Sequence, residues 1–224
     1  MIKNISNLGD AALYCDFGKE VDKATNSNVI RYFKNIQKNN LKGIINLTPS
    51  YNKLIISIDL KITNYDEIKK IIEKLDVNKT ESDIGKKIEV PVCLENSFSL
   101  DIKRLEEKLS INREKIYTNF LKKEYFCYMT GFIAGMPFLG DLDKNMRANR
   151  LDTPRVKVPK GSIGLTEQFT NIYTFESPGG WNIIGNTPVK IFDGSKKNNP
   201  NLISPGDTVT FKEISLKDYE NYNE

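Results

Sequence analysis

Histidine is missing from this chain of 224 residues. Without an imidazole, the chain itself cannot supply histidine general-base catalysis, a Ser-His-Asp or Cys-His nucleophile, or a histidine-ligated zinc site. Any chemistry must therefore use carboxylates, lysine, arginine, tyrosine, hydroxyl groups or backbone dipoles, and we expect no metal site.

Cysteine is scarce, with Cys15, Cys93 and Cys127 each lying in an apolar, strand-like run. Scattered thiols of this kind favour buried, inert side chains. The odd number of cysteines and the lack of a secretion signal predict a reducing cytoplasm as the location.

Long apolar runs and a strong net charge are also lacking. No run approaches the roughly 18 apolar residues that a membrane helix needs, so we expect no membrane segment. The formal net charge is only +4, and no arginine-rich stripe with interleaved aromatic residues indicates nucleic-acid binding. A hydrophobic content of 39% suits a globular protein with one large domain or two small ones.

Residues 1–95 alternate between strand and helix patterns. In the first predicted helix, residues 22–37, Val29, Phe33 and Ile36 share one face. A second helix is predicted at 65–75, and strands are predicted at 11–17, 43–47, 54–58 and 88–92. The order β-α-β-β-α-β predicts a ferredoxin-like domain. Since this half carries no glycine-rich phosphate loop, we interpret it as a scaffold or a partner surface.

Residues 96–224 form the second predicted domain, which begins with two short helices. Ser99 or Asp101 is the expected cap of the first helix, and Asn112 that of the second. Short strands between Gly/Pro turns then predict an antiparallel barrel or sandwich, with strands at 125–130, 162–166, 171–176, 182–185, 188–192 and 208–211. Residues 141–159 show no clear element, which is typical of a functional loop, and residues 215–224 form an acidic tail.

Arg155 is the first candidate for a functional side chain. It lies between Pro154 and the Val158-Pro159 step, so its backbone is constrained. A rigid guanidinium can bind a carboxylate or a phosphate through two hydrogen bonds. A solvated basic loop explains the same residues equally well.

Glu176 is the second candidate, at the start of the segment that ends at Trp181. The bare backbone of Gly179 and Gly180 would let a ligand or a partner come close. Glu176 could then act as a base or orient Arg155. Alternatively, the segment is a tight turn, and Trp181 is a core residue.

An apolar wall is the third candidate, because residues 131–140 combine glycine, proline and aromatic side chains. No helix pattern follows, so these residues do not predict a nucleotide loop. Phe132, Met136 and Phe138 are instead available to pack against a partner or a small ligand.

Three blocks of the chain resemble those of a known family, the carboxyltransferase-domain family of C/D type. They are Gly131 to Gly140, Thr153 to Ser162 and Glu176 to Pro188, with further matches at Leu8 to Leu13 and Pro49 to Tyr51. Bacterial members of this family include the B subunit of ATP-dependent 5-oxoprolinase (PxpB), the sporulation-kinase inhibitor KipI and proteins known as allophanate hydrolase subunit 1.

The resemblance implies a ferredoxin-like N-terminal domain, residues 1–95, followed by a cyclophilin-like antiparallel β-barrel, residues 96–224, in an α+β protein. It also implies a C-type carboxyltransferase-like partner (PxpC-like) and an A subunit (PxpA-like), which together convert 5-oxoproline to glutamate with ATP. Family members commonly carry a histidine where this chain has Phe120.

By analogy, Arg155 and Lys157 would hold a substrate carboxylate or phosphoryl group, and Glu176 would position or accept a proton. The expected substrate-binding residues are Phe132, Pro137, Phe138, Thr153, Pro154, Gly179, Gly180 and Trp181. The resemblance leaves two other functions open: an inhibitor of a sensor histidine kinase, and the carboxyltransferase component of a urea- or allophanate-type enzyme.

Overall fold

The computed structural model describes residues 1–77 and 85–222. The chain divides into two compact units, Met1–Ile84 and Gly85–Glu224. The sequence instead predicted a domain boundary between residues 95 and 96.

The first unit contains one antiparallel sheet of four strands in the order β1-β2-β4-β3. The strands are β1 (Asn4–Asn7), β2 (Ala12–Asp16), β3 (Ile44–Pro49) and β4 (Lys53–Ile58). Alternate residues of β2 and β4 are buried, as the period of two in a half-buried strand requires. Together with apolar residues of two helices, they form the core of this unit.

Helices α1 (Lys23–Asn39) and α2 (Tyr65–Glu73) lie where the sequence predicts them. Each begins at a side chain that accepts a hydrogen bond from the first turn: Asp22 from the backbone N–H of Thr25, and Asn64 from that of Glu67. The apolar face of α1 contributes Val29, Tyr32 and Ile36 to the core of the unit, and Phe33 packs against this core.

The predicted fourth strand of this unit, residues 88–92, was wrongly assigned. Strand β5 (Lys87–Val92) instead pairs in parallel with β13 (Thr208–Glu213) in the second unit. Its alternating pattern fits any half-buried sheet edge, so the pattern did not specify the partner strand. The sheet of the first unit is completed by β1 instead, and a ferredoxin-like order is not confirmed.

The second unit is built on a sheet of seven strands in the order β12-β9-β10-β7-β6-β13-β5. The strands not yet given are β6 (Tyr125–Thr130), β7 (Pro137–Gly140), β9 (Ser162–Thr166), β10 (Phe169–Ile172) and β12 (Asn182–Asn186). Beyond β5, Cys93 exchanges backbone hydrogen bonds of 2.8 and 3.0 Å with Asn186, which links the two edges of the sheet.

The sheet is therefore a nearly closed barrel, but a mixed one, because β5 and β13 are parallel. This corrects the expected antiparallel barrel. The predicted strand at 188–192 was also wrong, since only an isolated bridge between Phe192 and Asn201 forms there. Most of the buried apolar residues of the barrel strands form one core with two helices, α3 (Ile102–Leu109) and α4 (Arg113–Leu121).

Asn112 caps α4 as predicted, by accepting a hydrogen bond from the backbone N–H of Lys115. The expected tail contains a short helix, α5 (Leu216–Glu220), and its last two residues lie outside the described part of the chain. Within the described residues, none of the helices has the length and apolar character needed to span a membrane.

Candidate functional site

A two-stranded antiparallel ribbon carries most of the predicted site. It pairs β8 (Arg155–Val158) with β11 (Ser177–Gly179), so that Gly179 lies opposite Arg155 and Ser177 lies opposite Val158. The expected structureless stretch 141–159 thus contains a strand, in addition to a short 3-10 helix at Lys144–Met146. The segment 178–180 is likewise not a simple turn, because strand β11 extends into it.

An ion pair joins Arg155 of the ribbon to Asp101. Nη1 and Nη2 of Arg155 donate to the two carboxylate oxygens of Asp101 at 2.9 and 2.6 Å. Only 6% of the Asp101 side chain is exposed, against 28% of the Arg155 side chain. This two-point geometry fixes the plane of the guanidinium group.

Asp101 is itself held by β12. The backbone N–H of Ile183 donates to Oδ2 of Asp101 at 2.7 Å, and the backbone N–H of Asp101 donates to the Ile183 carbonyl at 3.0 Å. Asp101 occupies the N-cap position of α3, but its side chain makes no capping hydrogen bond. The carboxylate is therefore committed to Arg155 and Ile183.

The predicted capping of α3 by Ser99 or Asp101 was wrong for both residues. The hydroxyl of Ser99 lies within hydrogen-bond distance of the carbonyls of Leu94 and Ile184, at 3.0 and 2.6 Å, rather than capping the first turn. Sequence alone could not separate these roles, because Ser and Asp before an apolar helical pattern normally indicate a cap.

A second ion pair joins Lys157 to Glu176, with Nζ and Oε1 3.1 Å apart. Both side chains are exposed, by 75% and 56% respectively. The suggested role of Glu176 as the orienter of Arg155 is therefore wrong, since Asp101 fills it. An exposed pair contributes little to stability, so both groups are free to exchange partners for a ligand.

Gly179, at the end of the ribbon, is packed more tightly than Gly180, which follows it. A Cβ atom on Gly179 would lie 2.1 Å from the hydroxyl of Tyr173, whereas one on Gly180 would lie 3.4 Å from Cγ of Pro154. The Gly180 carbonyl also accepts the backbone N–H of Leu151 at 2.7 Å. Only the first position therefore strictly requires a residue without a side chain.

Beneath the ribbon lies a small apolar cluster that is separate from the barrel core: buried Met136, Val158, Tyr173 and Ile183, with Ile133 and Phe138 packed against them. Burial raises the pKa of the Tyr173 hydroxyl, while hydrogen bonding by the Asn171 side chain and the Trp181 backbone opposes this rise. Tyr173 therefore remains neutral at physiological pH.

Trp181 is buried and packs edge-on against Phe138, with ring centroids 5.6 Å apart. The guanidinium of Arg150 lies 5.9 Å from the centroid of the Trp181 ring. Phe138 and Trp181 thus pack against each other, and the buried Trp181 ring serves mainly to pack the interior of the second unit.

Three predicted binding residues lie outside this arrangement. Phe132 is 70% exposed on the turn between β6 and β7, where its φ of 69° is left-handed. Pro137 is buried at the start of β7, and Thr153 is exposed ahead of β8. The structure records no hydrogen bond among the described residues that links any of the three to the charged groups of the ribbon.

Phe120, at the position where family members commonly have histidine, belongs to the barrel core. Its ring lies 4.7 Å from that of Phe211 and 5.3 Å from that of Tyr125, and its side chain is buried. Its position is therefore structural in this chain. Within the described residues, no group of three Cys, Asp or Glu side chains could hold a metal ion.

Sequence reasoning missed two polar residues that organise this region, Asp101 and Arg104. Arg104 donates to the side chain of Asn182 and to the backbone carbonyls of Asn149 and Arg150, and so tethers the segment that leads to the ribbon. Both residues lie on or next to α3, far from the ribbon in sequence, and no local pattern marks them as its partners.

Comparison with known proteins identifies the family. The profile of the carboxyltransferase domain, subdomain C and D, matches residues 3–203. The B subunit of 5-oxoprolinase from Bacillus subtilis (strain 168) is 31% identical over 232 residues, which cover 98% of this chain and 96% of that protein.

Solved structures show the same fold. TTHA0988 superimposes with a TM-score of 0.81 at 25% identity, covering 91% of this chain and 40% of that longer chain. The urea carboxylase of Kluyveromyces lactis superimposes with a TM-score of 0.77 at 19% identity, over 97% of this chain and 22% of the enzyme. The α+β fold, the matched profile and the full-length relative together establish that this chain belongs to the carboxyltransferase-domain family, subdomain C and D.

Proposed function

We propose that this chain is the B subunit of an ATP-dependent 5-oxoprolinase, which hydrolyses 5-oxo-L-proline to L-glutamate together with a C-type subunit and an A subunit. The observation that carries the proposal is the likeness to the B subunit of the B. subtilis 5-oxoprolinase over nearly the full length of both proteins. The likeness thus extends over almost the whole relative, and not over one of its segments alone.

The charged ribbon provides the chemistry that this reaction needs. Arg155 binds the substrate carboxylate, because a guanidinium held in a fixed plane recognises a planar anion through two hydrogen bonds. Lys157 and Glu176, which are paired and exposed, supply a cation for a carboxylate or phosphoryl group and an acceptor for a proton. In this proposal the substrate also contacts Pro154, which precedes Arg155 in the chain, and Gly179, which lies opposite Arg155 in the ribbon.

Partner subunits complete the site in this proposal. Val156 is 80% exposed, directly between Arg155 and Lys157. An apolar side chain in this position would be covered when the C-type partner closes over the ribbon. ATP is used by the assembled complex, and we place the complex in the cytoplasm.

Reconstitution tests the proposal. The chain is co-expressed with C-type and A-type subunits, and glutamate formation from 5-oxoproline is measured with and without ATP. We expect glutamate only when all three subunits and ATP are present. A complete complex that forms no glutamate would contradict the proposal.

A urea carboxylase-type carboxyltransferase is the second candidate, favoured by the shared fold with the K. lactis enzyme. It ranks lower because that likeness, at 19% identity, covers only 22% of the enzyme. Carboxyl transfer from carboxybiotin to urea by the same complex, in the absence of 5-oxoprolinase activity, would support it instead.

A further inference from the structure

The guanidinium of Arg155 has two edges that can each bind a carboxylate. A guanidinium carries five N–H groups in a rigid plane. Asp101 uses the end edge, through one N–H of Nη1 and one of Nη2. The side edge, formed by Nε and Nη2, still carries one N–H on each nitrogen, and no described residue accepts a hydrogen bond from it.

Asp101 is fixed more firmly than Arg155. It is nearly buried, and two hydrogen bonds to the backbone of Ile183 tie its main chain and its carboxylate to β12. Arg155 lies on a two-stranded ribbon outside the seven-stranded sheet. Asp101 is therefore the rigid member of the pair, held by the barrel, and Arg155 is the member that reaches solvent from the ribbon.

The carboxylate of Asp101 also leaves α3 without a side-chain cap. A capping hydrogen bond typically stabilises a helix, so this arrangement gives up a local interaction for a distant one. Functional sites are where a sequence is expected to depart from such local rules as helix capping.

We propose that Asp101 is a positioning residue for substrate binding: by occupying the end edge of the Arg155 guanidinium, it orients the side edge toward the carboxylate of the bound substrate. The inference rests on the proposed function for the identity of that substrate. Asp101 itself does not touch the substrate.

Asp101→Asn is the informative variant, because it preserves size while removing one acceptor and the charge. In the assembled complex we expect KM for 5-oxoproline to rise about tenfold or more, with kcat changed less than about threefold, since the lost orientation weakens binding of a carboxylate that takes no part in opening the ring. Asp16→Asn is the matched control, because it removes a 2.6 Å ion pair with Lys53 in the first unit. Its KM should stay within twofold of wild type.

A spectroscopic measurement tests directly whether the side edge of Arg155 meets the substrate carboxylate, and it needs no turnover. With ¹⁵N-arginine in this chain within the complex, the Arg155 Nε–H signal, assigned from its loss in Arg155→Lys, should shift on addition of 5-oxoproline. It should not shift with 2-pyrrolidinone, which lacks the carboxylate.

An unchanged KM in folded Asp101→Asn would overturn the proposal. The proposal would also be overturned if the wild-type Nε–H signal did not shift with 5-oxoproline, or shifted equally with 2-pyrrolidinone. If the wild-type complex forms no glutamate, the proposed function fails, and the Nε–H titration alone then decides whether Arg155 presents its side edge to a carboxylate.

Discussion

Asp101 and Arg155 are 54 positions apart in the sequence, yet they form a two-point ion pair between a barrel helix and the ribbon. The pair joins a nearly buried carboxylate to a cation that still reaches solvent. Its neighbour, the pair of Lys157 and Glu176, is exposed on both sides. We therefore expect the Arg155–Asp101 pair to contribute more to the stability of the fold than the exposed Lys157–Glu176 pair.

Arg155→Ala should destabilise the protein by about 3 kcal/mol, because it leaves the buried carboxylate of Asp101 without its cation. Urea unfolding at pH 7.5 measures the change. Lys157→Ala is the matched control, and we expect it to cost no more than about 1 kcal/mol because that pair is exposed. Equal losses in the two variants would show that the Asp101 pair is no more important to the fold than a surface pair.

Glu176→Gln should leave stability within about 0.5 kcal/mol of wild type while lowering kcat of the reconstituted complex about 100-fold, the lower range for losing a general acid or base. Thermal unfolding and glutamate formation are measured on the same preparation. Full turnover in this variant would remove Glu176 from the chemistry.

Gly179→Ala should destabilise the protein by about 1–3 kcal/mol, because the added methyl group would meet the Tyr173 hydroxyl at 2.1 Å. Gly180→Ala serves as the control, since its methyl group would make an ordinary contact with Pro154. Adding Tyr173→Phe to Gly179→Ala should recover part of the loss. A Gly179→Ala variant as stable as wild type would contradict the tight packing of the ribbon.

The stability that Cys15 contributes should fall as the pH rises. Burial raises the pKa of the Cys15 thiol from 9.0 to about 12 in the folded protein. Between these values the unfolded chain loses the thiol proton and the folded chain keeps it, so deprotonation favours unfolding. The advantage of wild type over Cys15→Ala in urea unfolding should therefore be full below pH 8 and shrink between pH 9 and 11. A difference independent of pH would contradict the buried, neutral thiol.

The sequence alone determined the features that depend on neighbouring residues. The periodicity of residues 22–37 and 65–75 and the cap at Asn112 predicted helices that the structure contains, because capping and helical burial act within one or two turns. The three motif blocks likewise identified the family.

Only the tertiary structure decided which distant groups meet. Strand β5 has an alternating pattern that suits either unit, and its parallel pairing with β13 is a long-range event that no local signal encodes. Asp101 looks like a helix cap until Ile183 and Arg155 are brought beside it, because a carboxylate takes whichever donors the fold supplies. The residue types of the site were thus visible in the sequence, while their partners were set by barrel closure and by the packing of the ribbon.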